Sequence, residues 1–285
     1  MWVVRSHETR IVVESGRNLA EVADPFLVRP GARVDLSKWD PASRADAPGD
    51  RAATEAKLEN EIAHLASLQD RLWAEARRSI LVVLQGVDTA GKDGTIRHVF
   101  HAFNPQGVSV APFGPPTPEE LAHDFLWRVH RATPQAGHIT IFNRSHYEDV
   151  LVVRVHALAP EHVWRRRFDH INAFERLLVE DAGTRVVKFL LHISKEEQGR
   201  RLAARLEEPD KRWKLHPSDL AEQERYDDYQ AAFSDMLERT STEAAPWHVI
   251  PADHKWYRNW AVGHVLIRVL EEMDPRYPQA PAASG

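Results

Sequence analysis

Apolar residues recur along this chain in two rhythms. Between Ala52 and Arg78, the residues Leu58, Ile62, Leu65, Leu68 and Leu72 return at helical spacing, which predicts one amphipathic helix. Ile80-Leu81-Val82-Val83-Leu84 follows as a continuous run rich in branched side chains, the pattern of a strand buried on both faces of a parallel sheet. Glycines come next, then a helical stretch from Thr95 to Phe103, a strand from Val108 to Phe113, a Pro-rich turn and a helix around Glu119–Arg131. His138–Phe142 and Val186–Ile193 predict a third and a fourth strand, with helices between them that include Glu161–Glu180. Trp247–Ile250 is a short fifth strand and Trp256–Met273 a closing helix. Strands alternating with helices of this length point to an α/β fold, a parallel sheet flanked by helices. Pro25, Pro30, Gly31, Pro41, Pro48 and Gly49 punctuate residues 1–50, which read as an N-terminal arm. Residues 51–278 read as the domain and 279–285 as a tail.

Composition narrows the classes. A chain of 285 residues, 43% hydrophobic and 28% charged, is long enough for a sizeable core and ordinary for a globular protein. It contains no cysteine, which excludes disulfides and thiolate chemistry. The opening MWVVRSHETRIVVESGRN interrupts every apolar stretch with charge, and no run approaches the ~18 apolar residues of a membrane helix. The expectation is a cytoplasmic protein with no membrane partner. A net charge of −5 also speaks against nucleic acid, although a local concentration of basic residues would still bind a polyanion.

Such a concentration is present, and it sits downstream of a phosphate-binding pattern. Gly86-Val87-Asp88-Thr89-Ala90-Gly91-Lys92-Asp93-Gly94-Thr95 fits G-x-x-x-x-G-K between a predicted strand and a predicted helix. Glycines at 86, 91 and 94 allow the backbone to aim N–H groups at a phosphate, and the start of the helix adds partial positive charge. Lys92 adds a point charge for the transferring phosphates. Asp93 stands where Ser or Thr ordinarily ligates magnesium, and Asp88 adds a second carboxylate. Asp88 is read as positioning magnesium-bound phosphates and Asp93 as supporting the loop, with turn or helix-capping roles as the alternative for both. The third strand ends in Asn143-Arg144-Ser145-His146-Tyr147-Glu148-Asp149, where an open α/β sheet places its ligand crevice. Arg144 has the planar fork that suits phosphate, and Arg154 is a further candidate. Glu148 and Asp149 would hold magnesium or orient an acceptor nucleotide, beside Asn143 and Tyr147. From Lys195 to Asp219, seven basic side chains fall within twenty residues, among them Arg201, Arg205, Lys211 and Lys214. They read as a basic lid at about 195–219, or alternatively as an exposed helix offset by neighbouring acids.

With these segments in view, the chain resembles the polyphosphate kinase 2 family. The matching pieces are GVDTAGKDGT at 86–95, FNRSHYEDVLVVRVH at 142–156, HISKEEQ at 192–198, EEPDKRWK at 207–214 and STEAAPWHVIPADHKWYRNW at 241–260. The likeness runs from about Phe26 to Pro278. It implies a P-loop kinase fold related to thymidylate kinases, Mg2+ dependence, and reversible phosphoryl transfer between inorganic polyphosphate and ADP, AMP or ATP. It also implies a homo-oligomer. By matching position, Asp88 and Lys92 belong to the family's phosphate loop and Arg144 to its second motif. Arg201, Arg205, Lys211 and Lys214 belong to its lid. Tyr147-Glu148-Asp149 is similar to the single-domain group that phosphorylates AMP as well as ADP. The ADP-preferring group places its acidic residue near the position of Val153. Thr89 and Leu215-His216-Pro217 depart from the family's usual residues. Two other classes fit the phosphate loop alone: an ATP-dependent nucleoside monophosphate kinase and a noncatalytic P-loop nucleotide-binding protein.

Overall fold

The computed structural model describes residues 24–207 and 219–279. Lys211 and Lys214 lie outside the described residues, as do the first 23 residues and the last six.

The chain enters through β1 (Leu27–Val28) and reaches α1 (Arg51–Glu75), which Asp50 caps by accepting the N–H of Ala53. Next come β2 (Ser79–Gln85), α2 (Lys92–Val99), β3 (Val108–Pro112), and the short helices α3 (Pro118–Leu121) and α4 (Trp127–His130). Then follow β4 (Ile139–Asn143), α5 (Val152–Val155), α6 (Glu161–Glu180) and β5 (Thr184–His192). The last part holds α7 (Lys195–Glu207), α8 (Asp219–Glu224), α9 (Tyr226–Thr240), β6 (Trp247–Pro251) and α10 (Lys255–Met273). The sheet order is β1-β6-β5-β2-β4-β3, parallel throughout except for β1, which pairs antiparallel with β6. All seven residues of β2 are buried, as its unbroken apolar run predicted. α1, α2 and α10 pack as one group and α5, α6 and α9 as another, which covers both faces of the sheet.

The structure shifts three expectations. α2 begins at Lys92 and not at Thr95, because Gly91 and Gly94 read as breakers in sequence but here start a helix at the phosphate loop. The expected Glu119–Arg131 helix is two pieces. Asp124 accepts the N–H of Leu126 and starts a new turn after α3, which a Thr117–Glu120 capping box had opened. Residues 24–50 also pack closely against the domain. Phe26, Val28 and Leu36 are buried, and the Ala45 carbonyl accepts the hydroxyl of Tyr257.

One polar cluster lies wholly inside the core. Lys188, at the centre of β5, donates to Glu175 Oε2 at 2.6 Å, to the Tyr147 hydroxyl at 2.8 Å and to the Thr240 carbonyl at 2.7 Å. Tyr147 in turn donates to Glu175 Oε1 at 2.7 Å, and the His146 ring lies 3.3 Å from that same oxygen. Burial pushes the Glu175 carboxyl up, but Lys188 and His146 outweigh it and hold the group below its ordinary range. The ion pair crosses between α6 and β5 and ties the residues after β4 to both.

Removing one partner of a buried pair strands the other charge, which costs about 3–5 kcal/mol. Lys188→Met should lose that much unfolding free energy in urea titration, and Lys188→Met with Glu175→Leu should recover a large part of it. A single variant as stable as the wild type would remove the pair as a structural tie.

Candidate active site

The carboxyl ends of the parallel strands all lie at one edge of the sheet, and each leads into a different part of the site. β2 leads into the phosphate loop, β4 into Asn143 and Arg144, and β5 into Ser194 and α7. β6 leads into Ala252 and Asp253, and β3 into Phe113 and Gly114. Asp253 joins two of these exits, since its carboxylate accepts both the backbone N–H and the hydroxyl of Ser194 at 2.8 Å.

Within the loop, Gly86 has φ +151°, and a Cβ there would lie 2.7 Å from the Leu191 carbonyl oxygen. Thr89 takes a left-handed φ of 67°. Gly91, at φ +106°, immediately precedes α2. The Lys92 ammonium is folded back into the loop, donating to the carbonyls of Gly86 at 2.7 Å and Val87 at 3.2 Å. Burial, reinforced by Arg144, pushes Lys92 down to about 8 against the opposing pull of Asp88, Glu148 and Asp93. Arg201 of α7 braces the same loop from its other end. Its Nη1 donates to the Thr89 and Ala90 carbonyls at 2.9 and 3.1 Å, and its Nη2 to those of Ala252 and Asp253 at 2.6 and 3.0 Å. Its Nε meets Glu197 at 2.6 Å.

Asp88 is ion-paired with Arg144, which reaches Glu148 with its other nitrogen at 3.5 Å. Burial alone would raise Asp88, but Arg144, Lys92 and Arg205 together hold it below its ordinary value. An ionised carboxylate at the mouth of a phosphate loop suits a hard cation. Magnesium typically takes one or two protein carboxylates, the rest of its shell being water and substrate phosphate. Asp149, the other expected ligand, is ion-paired with Arg167. Burial pushes it up to about 6, although Arg167 meets it at 2.9 Å.

Two cavities meet at the loop. One, of about 970 Å³, has apolar walls from Phe113, Phe125, Leu151 and Phe233 and carries Arg128, Glu148, Asp149, Arg167 and Tyr229. The other, of about 1510 Å³, is lined by eight Lys and Arg side chains against six carboxylates. Asp88, Asp93, Phe113, Gly114, Arg144 and Arg205 line both.

Most of the residues singled out in the sequence arrive here. Gly86, Glu148 and Asp149 line the first cavity, and Gly91, Lys92, Gly94, Asn143 and Arg201 the second. Asn143 donates to Asp93 at 2.8 Å, which ties the end of β4 to α2. Four do not line either cavity. Thr95 is buried and turns its hydroxyl to the Gly91 carbonyl, and Ala90 is buried beneath the loop. The reading of Tyr147 as a nucleotide contact needs correction: it is fully buried, its hydroxyl drawn inward to Glu175 and Lys188. Arg154 is likewise engaged elsewhere, by Asp235 at 2.6 Å and by the face of Trp164. Sequence reasoning missed Arg51, Arg97, Lys255 and Arg258 in the basic cavity, and Arg128 and Arg167 in the other. Each belongs to a helix whose pattern carries no sign that its basic residue faces a cavity.

A parallel sheet with a phosphate loop after its central strand, and cations gathered at one edge, defines a P-loop kinase fold. The polyphosphate kinase 2 family model matches residues 49–278, and the chain belongs to that family. The AMP/ADP-polyphosphate phosphotransferase of Meiothermus ruber is 50% identical over 259 residues, covering 91% of this chain and 97% of the relative. The ADP-polyphosphate phosphotransferase of Rhodopseudomonas palustris is 41% identical over 270 residues, covering 90% and 93%. Among solved structures, polyphosphate kinase 2 from Arthrobacter aurescens TC1 superimposes with a TM-score of 0.86 at 45% identity, covering 89% of this chain and 91% of that one.

A single cation aimed at charge developing in a transition state is worth about 3 kcal/mol, or roughly a hundredfold in rate. Lys92→Ala should therefore lower kcat by that factor or more in steady-state assays while circular dichroism stays native. Near-normal turnover in a folded variant would remove the loop lysine from the chemistry.

Proposed function

We propose that this protein is a polyphosphate:nucleotide phosphotransferase that moves the terminal phosphoryl group of inorganic polyphosphate to ADP, giving ATP, and to AMP, giving ADP, in reversible Mg2+-dependent reactions. The observation that carries this reading is the meeting of two unlike cavities at one phosphate loop. The cavity with aromatic and aliphatic walls suits a nucleotide, whose base needs an apolar slot. The other cavity, with its eight Lys and Arg side chains, suits a chain of phosphates, which needs distributed cations. Similarity to the phosphotransferases of Meiothermus ruber and Rhodopseudomonas palustris supports both substrates.

The chemistry asks little of a general base, because the acceptor oxygen is already anionic. That oxygen attacks the terminal phosphorus in line, the bridging P–O bond to the next phosphate breaks, and the shortened chain leaves as an anion with no net proton transfer. Lys92 and Arg144 lie where charge gathers, and the loop amides orient the donor. Mg2+ held at Asp88 would neutralise charge on the transferring phosphate. Before substrate arrives, Arg144 is held by Asp88 and Glu148, so phosphate and metal together would release it toward the reacting group. Arg205 lines both cavities and would follow the phosphate chain across their junction. The same family resemblance supports a cytoplasmic homo-oligomer as the working form. Among the described residues no helix is long and apolar enough to cross a membrane.

The test is direct. With Mg2+ and polyphosphate as the sole donor, ADP should yield ATP by luminescence and AMP should yield ADP by chromatography, and excess EDTA should abolish both. Failure with both acceptors, with ATP instead phosphorylating a nucleoside monophosphate, would make the protein an ordinary nucleotide kinase and overturn the assignment.

A further inference from the structure

Arg258 lies in the first turn of α10 and is only 2% exposed. Its Nη1 donates to the Ala90 carbonyl at 3.1 Å, and its Nε and Nη2 both donate to Asn259 Oδ1, at 3.2 and 2.8 Å. Arg201, partly buried, approaches the same Ala90 carbonyl at 3.1 Å, so two guanidiniums converge on one oxygen. Burial and that neighbouring cation push Arg258 down to about 9. Its hydrogen-bond acceptors are an amide oxygen and a carbonyl, neither of which carries a compensating charge. Packing alone does not require such an arrangement, since an apolar side chain of similar volume would fill the position without placing two cations together.

What the arrangement does is orient a peptide. Across a trans peptide bond the carbonyl and the following N–H point in opposite directions. Holding the Ala90 oxygen against Arg258 and Arg201 therefore turns the Gly91 N–H away from them, at the start of α2, where phosphate would sit. The Ala90 N–H is already used on the Val87 carbonyl at 3.1 Å. The same contact accounts for the glycine. A Cβ on residue 91 would fall 1.8 Å from Arg258 Nη1, and one on Gly94 would lie 3.2 Å from its Nη2.

We propose that Arg258 is a positioning residue for phosphoryl transfer, holding the Ala90 carbonyl so that the Gly91 amide is presented to the donor phosphates, with Asn259 fixing the guanidinium. The inference rests on the polyphosphate transferase reading for its kinetic consequences and on loop geometry for its structural ones.

The experiment compares Arg258→Met, Arg258→Lys and Asn259→Ala by steady-state kinetics and by hydrogen exchange over peptides spanning residues 86–95. In Arg258→Met, kcat should fall at least about tenfold, by the same factor with ADP and with AMP, and the nucleotide KM should stay within about twofold. Arg258→Lys keeps one donor and should be intermediate. Asn259→Ala should shift kcat in the same direction by less, and combining it with Arg258→Met should add little, as for residues acting through one contact. Exchange in the loop peptides should quicken at least about tenfold in Arg258→Met. Should that variant fail to fold, Arg258→Lys and Asn259→Ala carry the test with smaller changes of the same sign. Unchanged kcat and loop exchange in folded variants would overturn the proposal. So would a rise confined to the polymer KM, which would mean that Arg258 contacts the polymer itself. If the wild type transfers nothing from polyphosphate, the functional reading fails, and the exchange measurement still decides whether Arg258 braces the loop.

Discussion

The carbonyl oxygens of the phosphate loop are held by three cations from three separate elements. Lys92 takes those of Gly86 and Val87, Arg201 those of Thr89 and Ala90, and Arg258 that of Ala90 again. A tight loop with φ values of +151° at Gly86, 67° at Thr89 and +106° at Gly91 has no regular ladder to satisfy its backbone. With its oxygens held in this way, the loop suits an anion at the start of α2, where a helix N-terminus presents backbone N–H groups. Much of the surrounding architecture serves that end. α7 and α10 start where they must to bring Arg201 and Arg258 to the loop, and Asp253 links the exits of β5 and β6 that carry them.

The electrostatics follow from this crowding. Lys92 is pushed down to about 8 mainly because it is buried, with Arg144 adding to the effect, while Asp88 is held ionised by the cations around it. The Glu175–Lys188 pair lies just behind the residues that follow β4 and fixes Tyr147. That anchors one side of the turn whose next residues, Glu148 and Asp149, face the cavity with apolar walls.

The legible part of this protein was carried by short-range chemistry. An unbroken apolar run marked β2, glycines with a lysine marked the loop, and their adjacency placed the loop at a strand end. The same logic placed Asn143, Arg144, Glu148 and Asp149 at the crevice, and all four line it. It misassigned Tyr147, because a phenol beside a polar run looks the same whether it points to solvent or to a buried lysine 41 residues away. It placed Arg201 at the site but did not foresee that its guanidinium meets four backbone carbonyls there.

What the sequence determined by itself was the alternation of strands and helices, the phosphate loop and the family, since each is written in residues close together along the chain. Tertiary structure alone decided which cations beyond Lys92 serve that loop. Arg258 is 168 residues from the carbonyl that it holds, and Arg51, Arg97 and Lys255 reach the same cavity from three different helices. Helical periodicity records which face of a helix is apolar, but it does not record what stands opposite a charged residue at the end of that helix. That is settled only when the sheet order brings the carboxyl ends of its parallel strands to one edge.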